Sequence, residues 1–255
     1  MPDDPARSIA ALRGLVARCR TIAGFTGAGI STESGVPDFR SPGSPWTRQT
    51  PISFEAFLRS RDARREAWRR KFAMDDLYRE AQPNRGHRAL ATMVHAGKMP
   101  AVITQNIDGL HQASGIPADQ VIELHGNGTY AACLSCGRRY ELDQVRLRFE
   151  ATGEPPDCEA CGGIVKSATI SFGQAMPEKP LRRAQELALA CDLLLVVGSS
   201  LVVYPAAALP LIAKRNGALL AIVNREPTAL DGAADLAIRG EIGPVLETLL
   251  EQASS

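Results

Sequence analysis

Short apolar runs, each closing on small or polar residues, recur along this 255-residue chain. They are "TIAGFTG" (21–27), "AVITQN" (101–106), "LLLVVGSS" (193–200) and "LLAIVN" (219–224), with helix-like stretches between them. Runs that are apolar throughout, instead of alternating with polar residues, are what strands of a parallel sheet show when both faces are covered. The alternation of strand and helix predicts an α/β fold built on a doubly wound parallel sheet. Ligands of such sheets gather at the carboxyl ends of the strands, so the polar tips of the runs are the first candidate site residues. The segment "LLLVVGSSLVVYPAAALPLIA" (193–213) is uncharged and long enough to cross a bilayer. Its β-branched start, its Gly-Ser-Ser break and Pro205 instead predict strand, loop and helix.

Two segments break the rhythm. Residues 41–84 open with "SPGSPW" and continue into "FLRSRDARREAWRRKF" with no strand signal, which predicts a helical insertion. Residues 130–165 carry four of the six cysteines and many turn formers, and read as a second insertion. The sheet domain is then discontinuous, assembled from 1–40, 85–129 and 166–255. The arginines between 59 and 71 read as a solvated helix face. With 45% hydrophobic residues the chain can bury a sizeable core, and its net charge of +1 gives no electrostatic reason to expect a nucleic acid or a membrane as partner. The first twenty residues lack the apolar segment and cleavage site of a secretory signal, so a cytoplasmic protein is expected.

Cys133 and Cys136 form "CLSC", Cys158 and Cys161 form "CEAC", and glycine follows each pair at Gly137 and Gly162. Two such knuckles close a tetrahedron of soft ligands suited to zinc. Two disulfides are disfavoured in a cytoplasmic chain, and a redox pair would normally be single and sit beside a strand and helix. Four protein ligands leave the metal no open position, so its role is structural. Cys19 and Cys191 lie in apolar surroundings and read as core residues.

"GAGISTESGVPDFR" (27–40) follows the first run but matches the dinucleotide fingerprint only in part, because Thr32 stands where a third glycine belongs. On its own it fits either a tight turn or a phosphate loop. Further tips strengthen the second reading: "TQNIDGLH" offers Gln105, Asn106 and Asp108, "GSS" offers Gly198, Ser199 and Ser200, and "VN" offers Asn224. "ELHGN" adds His125, which fits a structural residue or a general base working near neutral pH. His87 and His111 read as packing or capping residues.

In this order, "GAGISTESGVPDFR", "TQNIDGLH", "ELHGN", the paired knuckles, "FGQAMP" and "GSSLVVYPAA" make the chain resemble a bacterial-type member of the Sir2 family, the NAD-dependent protein lysine deacylases called sirtuins. The resemblance runs from about residue 10 to 248. It implies a Rossmann-type NAD-binding domain, and a small domain made of a helical module (41–84) and a zinc module (130–165). NAD would lie in the cleft between them. It further implies that Gly27, Ala28, Gly29, Thr32, Asp38, Phe39 and Arg40 surround the pyrophosphate and nicotinamide ribose, with Phe39 shielding the sugar carbon from water. Gln105, Asn106, Ile107 and Asp108 would form the nicotinamide pocket, and Gly198, Ser199, Ser200, Asn224 and Glu226 the adenosine side. His125 would be the general base, with Asn106 and Asp108 orienting the reacting groups. The implied substrate is an acyl-lysine protein or peptide, entering as an extended strand along Phe172 and Gly173 on one side and Leu201, Val202 and Val203 on the other. Its amide oxygen would attack the nicotinamide ribose as nicotinamide leaves, yielding lysine and O-acyl-ADP-ribose.

The chain departs from the family pattern in places. Lys166 and Ser167 stand where Arg-Pro is frequent, Gln174 follows "FG" where Glu is usual, and "GSS" replaces "GTS". Trp68 and Arg69 occupy the region where sirtuins that take acidic acyl groups carry a tyrosine, which favours acetyl or longer uncharged acyl groups. A protein ADP-ribosyltransferase or NAD hydrolase would share every cofactor contact, and a non-catalytic NAD-sensing module is the third reading.

Overall fold

The computed structural model describes residues 5–38, 44 and 50–250. Each predicted run contains a strand: β1 (Ile22–Thr26), β2 (Val102–Thr104), β7 (Leu193–Val197) and β8 (Leu219–Asn224). Two edge strands, β3 (Val121–Glu123) and β9 (Leu236–Arg239), complete a six-stranded sheet in the order β3-β2-β1-β7-β8-β9. Every pairing in it is parallel. The edge strands are short and each ends on a charged residue, so neither stands out as an apolar run.

Successive side chains along a strand point to opposite faces. Leu193, Leu195 and Val197 join a core with Leu12 and Leu15 of α1 (Pro5–Arg18), Leu90 and Val94 of α4 (Arg85–His95), and Leu246 of α9 (Ile242–Glu247). Leu194 and Val196 join a second core with Ala184 and Ala188 of α7 (Glu178–Ala190) and with Leu209 and Ala213 of α8 (Leu209–Arg215). Two buried faces explain runs that are apolar at every position. The uncharged segment 193–213 is β7, a loop, a 3-10 turn at Ala206–Ala208 and the start of α8. Among the described residues no helix is long and apolar enough to cross a membrane.

The first segment that breaks the rhythm holds α2 (Phe54–Arg59) and α3 (Arg61–Leu77). The Ser53 and Ser60 hydroxyls start them by accepting the Ala56 and Ala63 N–H groups. The second holds an antiparallel sheet, β4 (Gly126–Cys133), β5 (Arg139–Glu141) and β6 (Val165–Thr169), ordered β5-β4-β6, together with α6 (Leu142–Thr152). This sheet starts before residue 130 and ends after 165, because β4 and β6 continue their pairing to Gly126 and Thr169. Trp68 and Phe72 of α3 pack against Cys133, Val145, Cys158 and Val165, so the two segments share one core. The arginine run is no simple solvated face. Arg61 reaches Glu154 and Asp157, and Arg65 reaches Glu154, residues about ninety positions away that a local pattern does not reveal.

Candidate active site

β1 has β2 on one side and β7 on the other, so the crossovers run in opposite directions from it and a crevice opens at its carboxyl end. Gly27, Gln105 and Gly198 follow these three strands directly. Backbone presses on backbone here: Gly29 N–H donates to Gly198 O at 2.8 Å, and Gly27 N–H to Val197 O at 3.1 Å. A Cβ on Gly27 would stand 2.7 Å from Gly198 O, and one on Gly29 2.8 Å from Gly198 Cα. The glycines of the 27–29 turn are therefore demanded by contact with the 198–199 turn, whatever they also do for a phosphate. Thr32, in the place of the third glycine, donates its hydroxyl to Gly29 O at 2.9 Å and closes the turn.

The 105–108 loop hangs over this crossing. Gln105 Nε2 donates to Ser199 Oγ at 2.7 Å, joining the tips of β2 and β7. Asn106 is buried, and its Nδ2 donates to Gly27 O at 3.1 Å and Ser31 Oγ at 3.2 Å. Asp108 accepts from Ser31 Oγ at 2.7 Å and, through its other oxygen, from Leu110 N–H at 3.0 Å. Burial raises the Asp108 pKa above the ordinary carboxylate value, and these two donors hold it back. Gly109 follows in the left-handed region, at φ 74°, and starts the short helix α5 (Leu110–Ala113).

His125 stands where β3 hands over to β4. The next residue, Gly126, has φ 73°, and a Cβ there would lie 2.0 Å from Ala168 O, so only glycine makes this turn. Ile170 N–H donates to His125 O at 2.8 Å and fixes the main chain. The ring's Nδ1 is 3.1 Å from Gln105 O. A carbonyl oxygen only accepts, so Nδ1 carries the proton and Nε2 is left with a free lone pair. Burial is the larger influence on this ring and lowers its pKa, which keeps it neutral near pH 7.

These groups face a cleft of about 1520 Å³. Ala28, Asp38, Ile107, Phe172, Gly173, Ser200, Val203, Asn224 and Glu226 also line it. Asn224 Nδ2 is turned onto Glu226 O at 2.7 Å. Phe172 and Val202 are 65% and 50% exposed, whereas Leu201 is 3% exposed with its side chain in the core, so any ligand contact from Leu201 runs through its main chain. Leu201 also has φ 56°, rare for a residue with a side chain. Phe39 and Arg40 lie outside the described residues.

The four knuckle cysteines come together with all Sγ atoms within 4.8 Å of one another. Cys133 and Cys161 are 3.6 Å apart, as are Cys136 and Cys158. A zinc tetrathiolate with bonds of about 2.3 Å needs sulfur separations of roughly 3.8 Å, so the donor set fits one zinc ion. Gly137 and Gly162 take φ 75° and 69° to turn the knuckles. Ser135 N–H donates to Cys133 Sγ at 3.4 Å and Tyr140 Oη to Cys158 Sγ at 3.1 Å, the outer contacts expected around thiolate ligands. Cys19 and Cys191 are buried, and burial raises the Cys191 thiol to about 11, so it is no nucleophile.

The Sir2 family profile matches residues 27–205. The chain belongs to the Sir2 family. It is 59% identical over 235 residues to NAD-dependent protein deacetylase 1 of Bradyrhizobium diazoefficiens, covering 92% of both chains. A Sir2 structure with a p53 peptide and NAD+ superposes with a TM-score of 0.85 at 36% identity, over 96% of this chain and 98% of that one. Sir2Af2 bound to a myristoylated histone peptide gives 0.78 at 39% identity, over 98% and 97%.

In this Sir2 protein the cleft also draws on Ser31, to which sequence reasoning assigns no role, and on Lys166 and Trp68, which it marks only as departures from the family pattern. Ser31 sits fully buried between Asn106 and Asp108, and nothing in "GIST" sets that serine apart. Lys166 is 3% exposed, with Nζ donating to Thr169 O at 2.6 Å, and burial lowers its pKa to about 8. Trp68 lines the cleft with its Nε1 buried and unpartnered among the described residues. The lining role of Lys166 and Trp68 depends on the shared core of two segments remote in sequence.

Proposed function

We propose that this Sir2 protein is an NAD-dependent protein lysine deacylase, acting on acetyl or longer uncharged acyl groups and releasing nicotinamide and O-acyl-ADP-ribose. One observation carries the reading: the His125 Nδ1–H is committed to Gln105 O, leaving Nε2 as a neutral base beside Asn106 and Asp108. NAD held here would supply a ribose carbon able to exchange nicotinamide for the acyl oxygen. Gly27, Ala28, Gly29 and Thr32 border the pyrophosphate, with Asp38 toward the nicotinamide ribose. Gly198, Ser199, Ser200, Asn224 and Glu226 hold the adenosine half, at the tips of β7 and β8. Gln105, Ile107 and Asp108 enclose the nicotinamide end, where the Asp108 carboxylate accepts from the carboxamide. Asn106 orients the ribose, and His125 takes a ribose hydroxyl proton at Nε2.

The peptide lies extended between the Phe172–Gly173 edge and the Leu201–Val203 edge and bonds through its main chain. The exposed apolar side chains of Phe172, Val202 and Val203 support that path. Main-chain recognition tolerates many sequences, so weak peptide selectivity follows. Four reduced cysteines held for zinc agree with a cytoplasmic setting. The division into a discontinuous NAD domain, a helical module and a zinc module belongs to the same proposal.

Incubation with NAD and peptides bearing acetyl to long-chain acyl-lysine tests it. Nicotinamide release that depends on the acyl peptide, with O-acyl-ADP-ribose as the product by mass spectrometry, is expected. ADP-ribose attached to protein, or nicotinamide release indifferent to peptide, would overturn the assignment in favour of transfer or hydrolysis.

A further inference from the structure

The loop bearing Asn106 and Asp108 is supported from beneath by buried polar groups that have no part in the proposed chemistry. His111 Nε2 lies 2.8 Å from Thr26 Oγ1, Thr26 Oγ1 donates to Thr104 Oγ1 at 2.8 Å, and Thr104 Oγ1 accepts the Asn106 N–H at 3.0 Å. Thr26, Thr104, Asn106 and His111 are all buried. The order of protons follows from the groups available. Thr26 has one hydroxyl proton and gives it to Thr104, so His111 donates its Nε2–H to Thr26. Nδ1 is then a bare lone pair, and it is the ring atom without a partner among the described residues. Reversing the chain would put a proton on that buried, unpaired atom, and an orphaned N–H is the rarer and costlier fault. The ring is fully buried, and desolvation lowers its pKa to about 3, so it stays neutral and keeps this tautomer.

A second support runs alongside. His87 Nδ1 faces the Asn84 N–H at 3.4 Å and so accepts, which leaves its Nε2–H directed toward Ser31 Oγ at 3.5 Å. The His87 and His111 rings lie with centroids 5.1 Å apart. The short, well-formed bonds are in the first chain, and that chain ends on the main chain of the loop.

We propose that His111 is a positioning residue for the reaction: through Thr26 and Thr104 it fixes the Asn106 main chain, and with it the approach of the Asn106 and Asp108 side chains to the cleft. It touches no ligand itself. The inference rests on the deacylase reading of the cleft and goes beyond it by assigning work to a histidine that sequence reasoning treats as packing.

Three variants separate positioning from packing. His111→Leu keeps bulk and removes the donor, His111→Gln returns an N–H near the Nε2 position, and Thr104→Val removes the acceptor with little change of shape. His111→Leu and Thr104→Val are each expected to lower kcat about tenfold while the Kd for ADP-ribose stays within about twofold, since small misplacement at a reacting centre is costly. The double variant should fall no further than the weaker single one, because both cut one chain. His111→Gln should recover most of the rate. Additive losses, a His111→Leu enzyme within twofold of the parent, or no recovery with Gln would overturn the proposal. If His111→Leu does not fold, Thr104→Val alone decides by the same kcat and Kd readings. If the parent protein releases no nicotinamide with any acyl peptide, the deacylase reading fails separately. Hydrogen exchange then decides for His111, since Thr104→Val must speed exchange of the Asn106 amide, and unchanged exchange refutes the chain.

Discussion

His125 owes its tautomer to a single main-chain oxygen, Gln105 O, which claims the Nδ1 proton. Only the neutral ring accepts a proton, and burial lowers its pKa from the ordinary 6.5. The rate should therefore fall as pH drops through a value below 6.5. A profile of kcat/KM against pH checks this, and an acid limb above that value would contradict the buried-base description. Replacing His125 with Ala should abolish turnover while leaving NAD binding within a few fold by calorimetry, since the ring's own bond goes to Gln105 O, at the tip of β2 and away from β8. The buried pair His87 and His111 makes a stability prediction with a definite sign. Their folded pKa values of about 4 and about 3 lie below the unfolded 6.5, so the unfolded chain binds more protons in that window. Stability is complete above pH 6.5 and declines as pH falls toward 4, by roughly 1.4 kcal/mol per pH unit for each ring once unfolded histidines are protonated. Asp108 opposes this loss in part, because its pKa is raised by burial. Urea unfolding between pH 7 and 4.5 measures the balance. At this scale the sequence displays His125 by its motif, while the value of Ser31, Thr26 and Thr104 lies in contacts about eighty residues apart.

Between elements, the zinc knuckles and α3 form one unit. Cys133 and Cys158 share a core with Trp68 and Phe72, and Phe72 meets Phe149 of α6 with centroids 5.7 Å apart. Removing zinc with a strong chelator should raise hydrogen exchange in 126–169 and also in 61–77, because loosening the ligands loosens their shared packing. Trp68→Ala should cost about 3–5 kcal/mol as a buried aromatic truncation. Arg61→Ala and Arg65→Ala should change stability far less, since their ion pairs remain about half exposed to water. Chemical denaturation of the three variants ranks them. At the crossing of turns, Gly29→Ala should weaken NAD binding tenfold or more, because the added methyl, 2.8 Å from Gly198 Cα, drives the β1 and β7 tips apart. The helical segment and the knuckles were each legible, the first as a helix-like stretch with no strand signal and the second from cysteine spacing. Their joint core was not, because a local pattern marks a residue as buried without naming its partner.

Across the whole molecule, six parallel strands bring the tips of β1, β2, β7 and β8 to one edge, and the antiparallel sheet and α3 close the other side of the cleft. A ligand that bridges both sides binds only the folded protein and should stabilise it, by about 2.7 kcal/mol at a hundredfold excess over its Kd. Thermal unfolding with ADP-ribose, alone and with an acyl peptide, tests the bridging: the peptide should add a further rise in Tm. By itself the sequence determined the α/β class, four of the six parallel strands, the presence of both segments that interrupt them, the four clustered cysteines and His125 as a candidate for the cleft. Each of these rests on residue type or spacing within a short window, where backbone and side-chain chemistry act locally. The tertiary structure alone decided the edge strands, the mutual contact of the 27–29 and 198–199 turns, the ion-paired seam of α3, the tautomer of His125 and the buried chain from His111 to Asn106. Those depend on which distant atoms meet, and a hydrogen bond or a steric limit has no signature until both partners are in place.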